Sequence, residues 1–459
     1  MNTTKKISRV IKEEKQRKKA IHRIVEDNLC TQCGTCAGIC PSDAIDMHIS
    51  KGLCLPNIEW EKCTNCGLCA RVCPGDNVDF QTLNLEIFGK QPKCFLLGNS
   101  LGCYIGHSAD DNLRGNSSSG GLVTQLLIFA LEKGIVDGAL VVGMRKDLPS
   151  VPEPFIAKTR EEIRLASKSK YAPSSSNIIL KEILSRQGKF AVVGLPCHIQ
   201  GVRKAEAYNK ELKEKIVLHL GLFCSHTVNF LGTEILLKKL KTDKQDIKQL
   251  DYRGNGWPGY LSVLTKKGQR LSIRYRDYWN SLFGPNFFTP LRCLSCHDHT
   301  NELADLSFGD AWLKNVMKKD KDGSSIVISR SKKGDEILKK AESAGAIHLN
   351  EIDVENVIRS QYTSLFSKKI GLGTRIAILN SFGIRTPSYP NLKKHANPLL
   401  YTTHLLQVLG AITSQRKSVQ NLLEHAQFAY LRVWGALLYY LDFFSHKLQE
   451  DIEHEYARS

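Results

Sequence analysis

Cys30-Thr31-Gln32-Cys33-Gly34-Thr35-Cys36-Ala37-Gly38-Ile39-Cys40-Pro41 returns 33 residues later as Cys63-Thr64-Asn65-Cys66-Gly67-Leu68-Cys69-Ala70-Arg71-Val72-Cys73-Pro74. Each copy sets four thiols at x2, x2 and x3 spacing and ends on proline. Thiolates this dense repel one another unless they wrap a compact cationic core, and four per core fit a 4Fe–4S cube. Two zinc sites are the competing reading, since paired cysteines also bind zinc. Repetition of the whole x2, x2, x3, Pro pattern argues against them. Ligation crosses between the copies in this pattern. Cys30, Cys33, Cys36 and Cys73 are expected on one cluster, and Cys63, Cys66, Cys69 and Cys40 on the other. Gly34 and Gly67 let the backbone curl close to the cluster sulfides.

This is the spacing of a bacterial two-cluster ferredoxin, and it assigns residues 24–92 to such a module. Residues 1–23 carry nine Lys or Arg against Glu13 and Glu14 and read as a basic arm. No apolar signal-peptide core precedes the module, and thiols of this kind stay reduced in the cytosol, so a cytoplasmic protein is expected. The 459 residues are 42% hydrophobic and 24% charged, which excludes a disordered or fibrous chain. No run of eighteen apolar residues offers a spanning helix. The formal charge of +18 favours acidic partners. Nucleic acid is not among them, because the charge is spread and no recognition module accompanies it.

Beyond residue 110 strand-like and helix-like runs alternate, which predicts an α/β body with a mainly parallel sheet. Arg114-Gly115-Asn116-Ser117-Ser118-Ser119-Gly120-Gly121 opens a helix over 122–133. Ser167-Lys168-Ser169-Lys170-Tyr171 runs through Ser174, Ser175 and Ser176, expected caps of a helix over 177–186. Two hydroxyl-rich helix starts suit a pyrophosphate. Neither is GxGxxG, so a standard dinucleotide fingerprint is not indicated. Cys197 and Cys224 end two strand-like runs, and Cys293 and Cys296 form a further CxxC. On spacing alone these four are either buried free thiols or ligands of a third cluster. Cys54, Cys94 and Cys103 fit no pattern. The body divides into an α/β half over 93–250 and an α+β half over 251–384, with a hairpin at 260–275. A linker and two-helix extension occupy 385–459, with helices expected at 401–414 and 418–448. The last, rich in aromatics such as Phe428, Trp434, Phe443 and Phe444, is read as packed on its neighbour or a second subunit, or as peripheral on the inner membrane face.

Residues from about 92 to 375 resemble the coenzyme F-420 hydrogenase/dehydrogenase beta-subunit family. The stretches that carry the likeness, in order, are Ser117 to Gly121, Ser169-Lys170-Tyr171, Val193-Gly194-Leu195-Pro196-Cys197-His198-Ile199-Gln200-Gly201, Gly221-Leu222-Phe223-Cys224, and Cys293 to Asp305 with Gly309-Asp310. One departure is the all-serine run before the glycine pair, where hydrogenase members usually carry an acid or amide. The resemblance implies FAD near Ser117, Ser118, Ser119, Gly120, Gly121, Ser169, Lys170 and Tyr171, with His198 nearby. It also makes Cys197, Cys224, Cys293 and Cys296 the ligands of a third 4Fe–4S cluster. Asp298 and Asp310 are expected behind the cofactors rather than as catalysts.

The combined expectation is a multidomain α+β and α/β chain: a ferredoxin fold, then a flavin- and cluster-binding body, then a helical extension. The function implied is oxidoreduction between reduced coenzyme F-420 and the clusters by way of FAD. Ferredoxin or another acidic redox protein or subunit is the partner, and self-association is open. The alternatives are a ferredoxin-driven reductase of an organic substrate, like 7-hydroxymethyl chlorophyll a reductase, and a subunit that only transfers electrons. No catalytic acid or base is assigned, because hydride transfer to a flavin requires none.

Overall fold

The computed structural model describes residues 21–390, 392 and 397–447. The expected basic arm lies outside these residues apart from its last three, which open the helix Ile21–Glu26. Part of the expected linker, 391 and 393–396, lies outside them as well.

The two cysteine copies fold as a pseudo-twofold pair. Gly34 and Gly67 both take left-handed backbone, with φ of 80° and 71°, and each starts a one-turn helix, Thr35–Gly38 and Leu68–Arg71. Only glycine adopts that conformation without a steric cost. The copies are joined by a hairpin of β1 (Ile45–Ser50) and β2 (Leu53–Ile58).

The body is one eight-stranded sheet. Its strands are β3 (Gly102–Ser108), β4 (Gly138–Met144), β5 (Pro152–Ala157), β6 (Phe190–Gly194), β7 (Ile216–Leu222), β11 (Leu306–Asp310), β12 (Ser325–Ser329) and β13 (Ile347–Glu351). A separate three-stranded sheet holds β8 (Ile247–Asp251), β9 (Tyr260–Thr265) and β10 (Arg270–Arg274). The large sheet runs β13-β3-β12-β11-β7-β6-β4-β5. Only its centre, β4-β6-β7-β11, is parallel, and the outer pairings are antiparallel. The expected mainly parallel sheet is therefore a mixed one. β11 lies beside β7 and β12 beside β3, so both halves build one sheet, while β8 joins the hairpin beyond the expected boundary.

Helices cover both faces, as a sheet with a buried centre requires. Leu122–Glu132 is apolar nearly all round and packs with Lys332–Ser343 on one face. Pro196–Glu206 and Leu180–Ser185 cover the other. Behind the second face the His219 ring bridges two carboxylates, Nε2 lying 2.6 Å from Glu206 and Nδ1 3.0 Å from Asp305. Arg203 joins both acids.

The ferredoxin module is seated on the body by the segment expected to be a serine-capped helix. That segment begins as a 3-10 turn, Ser176–Ile179, and continues as Leu180–Ser185. Its serines do not cap it. Ser175 Oγ donates to the Gln32 carbonyl at 2.9 Å. Asn177 donates through its backbone to the Cys33 carbonyl at 3.0 Å and through its side chain to Thr35 Oγ1 at 2.8 Å. A Cβ on Gly38 would run into the Asn177 carbonyl. Gly38→Val is expected to cost about 1–3 kcal/mol by overpacking. Limited proteolysis should then release the module from the body, whereas wild type stays intact.

Among the described residues the extension has three helices rather than two: Pro398–Thr413, Lys417–His425 and Phe428–Lys447. The expected long last helix breaks at Ala426, which takes extended backbone and gives its carbonyl to Lys239 at 2.7 Å. Among the described residues no helix is long and apolar enough to cross a membrane.

Candidate functional site

The crossed quartets expected from the motif are brought together in space. Cys30 and Cys36 feel Cys33 and Cys73 as their charged neighbours, and Cys69 feels Cys66 and Cys40. Cys40, Cys63, Cys66 and Cys69 line one small cavity. Cys73 Sγ accepts from the Gly75 backbone at 3.3 Å, and a Cβ on Gly75 would strike the Leu29 carbonyl. Cys33, Cys36 and Cys73 are buried, whereas Cys66 is exposed.

A third quartet forms where β6 and β7 end and the Cys293–Cys296 loop crosses them. Cys197 lies within electrostatic range of Cys224, Cys293 and Cys296, and also of Cys33 in the module. Burial pushes the Cys224 thiol up to about 12, against the pull of the Lys368 ammonium. Lys368 is buried, with Nζ 3.5 Å from Cys296 Sγ and 2.8 Å from the Asp298 carbonyl. The Asp298 carboxylate does not compete for the site, because Gln200 Nε2 and the Asn301 backbone occupy it. Four sulfurs facing one space, with a cation beside them and no free acid, suit an iron cluster. Among the described residues no three His, Cys, Asp or Glu converge on a single metal ion.

The third quartet opens into a cavity of about 1730 Å³. Pockets for one small organic ligand span roughly 300–1,000 Å³. This one has room for a dinucleotide and a second reactant. Ser117, Ser118, Ser119 and Gly121 line it, together with Ser167 to Ser174. The two loops are joined, since the Ser169 backbone donates to Ser118 Oγ at 2.8 Å. Gly121, with φ of 73°, leads into Leu122–Glu132 with no side-chain cap, leaving that helix start directed at the cavity. Helix N-termini of this kind favour anions. Thr31 Oγ1, Ser174 Oγ and His226 Nε2 are buried on the lining without a protein partner. These orphaned groups and the open helix start fit a large polar cofactor such as FAD.

Some expected contacts have other work. Gly120 donates its N–H to Ser325 Oγ at 3.0 Å, and a Cβ there would meet the Gly106 carbonyl. Its smallness therefore serves loop-to-sheet packing. The Lys170 ammonium turns back onto the carbonyls of Ala166, Ser167 and Lys168. Burial brings it down to about 7. His198 lies on the lining, but its Nδ1 accepts from the Leu195 backbone at 3.3 Å. Burial lowers it to about 4, so it is a neutral imidazole that shapes the strand end.

Residues that sequence reasoning missed build the cavity's other wall. Arg253 is 1% exposed, lies 4.5 Å over the Tyr275 ring and grips Asp310 with two bonds of 2.8 and 3.0 Å. Trp257 Nε1 donates to the same carboxylate at 2.7 Å. Tyr171 packs on Trp279 with ring centroids 5.1 Å apart. Arg292, also missed, ties the third quartet's loop to the module by donating to the Gly75 carbonyl at 2.8 Å. Lys368 was missed as well; its available signal was the pair Lys368-Lys369 set between Leu365-Phe366-Ser367 and Ile370.

Comparison with known proteins follows this division. Residues 29–77 match a 4Fe–4S dicluster domain. Residues 103–181 and 187–355 match the N-terminal and C-terminal parts of the coenzyme F-420 hydrogenase/dehydrogenase beta subunit. The coenzyme F-420 hydrogenase subunit beta of Methanothermobacter thermautotrophicus is 30% identical over 253 residues, covering 54% of this chain and 83% of that protein. The coenzyme F-420-dependent sulfite reductase of Methanocaldococcus jannaschii is 27% identical over 361 residues, 72% of this chain and 49% of that protein. A chain in the xenon-derivatised F-420-reducing NiFe hydrogenase complex from Methanosarcina barkeri superposes with a TM-score of 0.50 at 25% identity, over 64% of this chain and 98% of that one. With cysteine quartets, cavity and matched segments coinciding, the chain belongs to the coenzyme F-420 hydrogenase/dehydrogenase beta-subunit family of oxidoreductases.

Proposed function

We propose that this protein is an FAD-containing iron–sulfur oxidoreductase subunit. In this reading it passes electrons between reduced coenzyme F-420 and its 4Fe–4S clusters, and then to ferredoxin or a partner subunit. The observation that carries the reading is the line of three cysteine quartets leading away from one large cavity. The quartet of Cys197, Cys224, Cys293 and Cys296 opens into the cavity and neighbours Cys33. Cys36 in turn feels Cys69, and the outermost quartet reaches the surface at Cys66. When bound, a flavin supplies hydride chemistry and iron clusters supply one-electron transfer.

The chain's own residues orient and insulate. The start of Leu122–Glu132 and the linked serine loops hold a pyrophosphate, and Tyr171 with Trp279 offers an aromatic shelf. Lys368 donates to Cys296 and offsets the negative charge of the third quartet. Work with further subunits is supported by the structural neighbour, which comes from a hydrogenase complex. The test is anaerobic stopped-flow spectroscopy of iron- and FAD-loaded protein mixed with reduced coenzyme F-420. Flavin bleaching followed by cluster reduction is expected. Reduction by ferredoxin alone would replace the reading with that of a ferredoxin-driven reductase.

A further inference from the structure

The cavity's rim is not built by the family-matched residues alone. Those end at residue 355, yet the last helix, Phe428–Lys447, lines the cavity with Arg432, Tyr439, Tyr440 and Asp442. The helix is a fixed wall. A Cβ on Gly435 would run into the Asn280 carbonyl, so the helix lies directly on the segment Trp279–Phe283. Arg432 pairs with Asp277 at 3.0 Å, a carboxylate that Arg274 also holds at 2.8 Å, so these three side chains keep one surplus positive charge; Asn397 ties the start of the extension to the Ser445 carbonyl at 3.0 Å. Asp442 is buried and within charge range of Arg375. Tyr439 and Tyr440, by contrast, are 53% and 57% exposed while lining the cavity, which puts them at its mouth.

The charge of the lining states what passes that mouth. Ten Lys or Arg and two Asp line the cavity. The deep cations are committed, Arg253 to Asp310 and Lys170 to its own loop. Arg276, Lys314 and Arg359 are exposed along the lining, where they meet what enters. Aromatic faces beside guanidinium groups take flat rings, and surplus positive charge takes an anionic tail.

We propose that the last helix is the specificity wall of the site. It selects the second organic reactant, a flat aromatic molecule with an anionic tail, by stacking on Tyr439 and Tyr440 and by charge at Arg432. This rests on the proposed function only in taking FAD to fill the deeper cavity. The selecting residues lie outside the segments that match the family models.

The test uses anaerobically purified, iron- and FAD-loaded protein. Equilibrium binding of oxidised coenzyme F-420 and of flavin mononucleotide is measured for wild type, Tyr439→Ala/Tyr440→Ala and Arg432→Ala. Iron and flavin content are checked for each. The exposure of the two tyrosines lets the double variant fold, and it is expected to bind the preferred probe roughly tenfold more weakly. Arg432→Ala is expected to weaken it severalfold, with the loss fading at high salt. Wild-type binding of coenzyme F-420 with both variants unchanged overturns the wall and leaves the proposed function standing. Binding of flavin mononucleotide but not coenzyme F-420, lost in the double variant, upholds the wall and removes the proposed substrate. Failure of wild type to bind either probe overturns both.

Discussion

Cys197→Ser is expected to remove about four of roughly twelve iron atoms per chain and to leave the clusters of the N-terminal module in place. Cys197 sits at the head of Pro196–Glu206, whose packing depends on Ile199, Val202 and Ala205 rather than on the thiol. The substitution is nearly isosteric, so the helix stays seated and the loss is confined to one donor of one quartet. Four of the module thiols, Cys36, Cys40, Cys69 and Cys73, belong to a separate core around Ile21, Leu29 and Ile45. Iron and acid-labile sulfide analysis, with electron paramagnetic resonance of the dithionite-reduced protein, reads the outcome. Cys103→Ser is the control, since Cys103 is buried beside Arg330 and away from every quartet. Unchanged iron in Cys197→Ser would remove the third cluster from the account.

Asp310→Ala is expected to cost about 3–5 kcal/mol and to release flavin. The size follows from what is left behind. Arg253 cannot lose its proton, is 1% exposed, and would keep only neutral acceptors, the Pro258 carbonyl and the Tyr171 hydroxyl. Trp257 Nε1 would lose its acceptor in the same step. The aromatic wall of Tyr275 and Trp312 is held by this guanidinium, so the cavity loses shape as well as stability. Removing Asp147 from its exposed pair with Arg145 is the comparison, expected to leave stability unchanged because solvent screens the pair. Anaerobic denaturant unfolding and flavin content after gel filtration measure both. An Asp310→Ala protein as stable as wild type would show that the pair is not the wall's anchor.

The cysteine chemistry was legible because its spacing is dictated by a rigid inorganic core. The same holds for Gly34 and Gly67, which have one conformational task. Sheet order was not legible. β3 meets β12 across more than 200 residues, and nothing local in Gly102–Ser108 announces that partner. The serines before residue 177 misled because an N-cap and a docking contact use the same hydroxyl, and only the position of Gln32 decides between them. Arg253 was invisible for the same reason. Its partner lies 57 residues away, and a lone arginine before a glycine turn reads as surface.

The place of β3 also sets an order for biosynthesis. The module's last ligand, Cys73, leaves the ribosome while β3 has no sheet neighbour, because β12 and β13 are still untranslated. Cys197 and Cys224 wait in turn for Cys293 and Cys296. Non-local pairing of this kind delays closure and leaves strand edges open meanwhile. Cluster delivery to this chain therefore falls into two episodes. The module can be loaded on the nascent polypeptide, and the proposed inner site only once Cys293 and Cys296 have been translated.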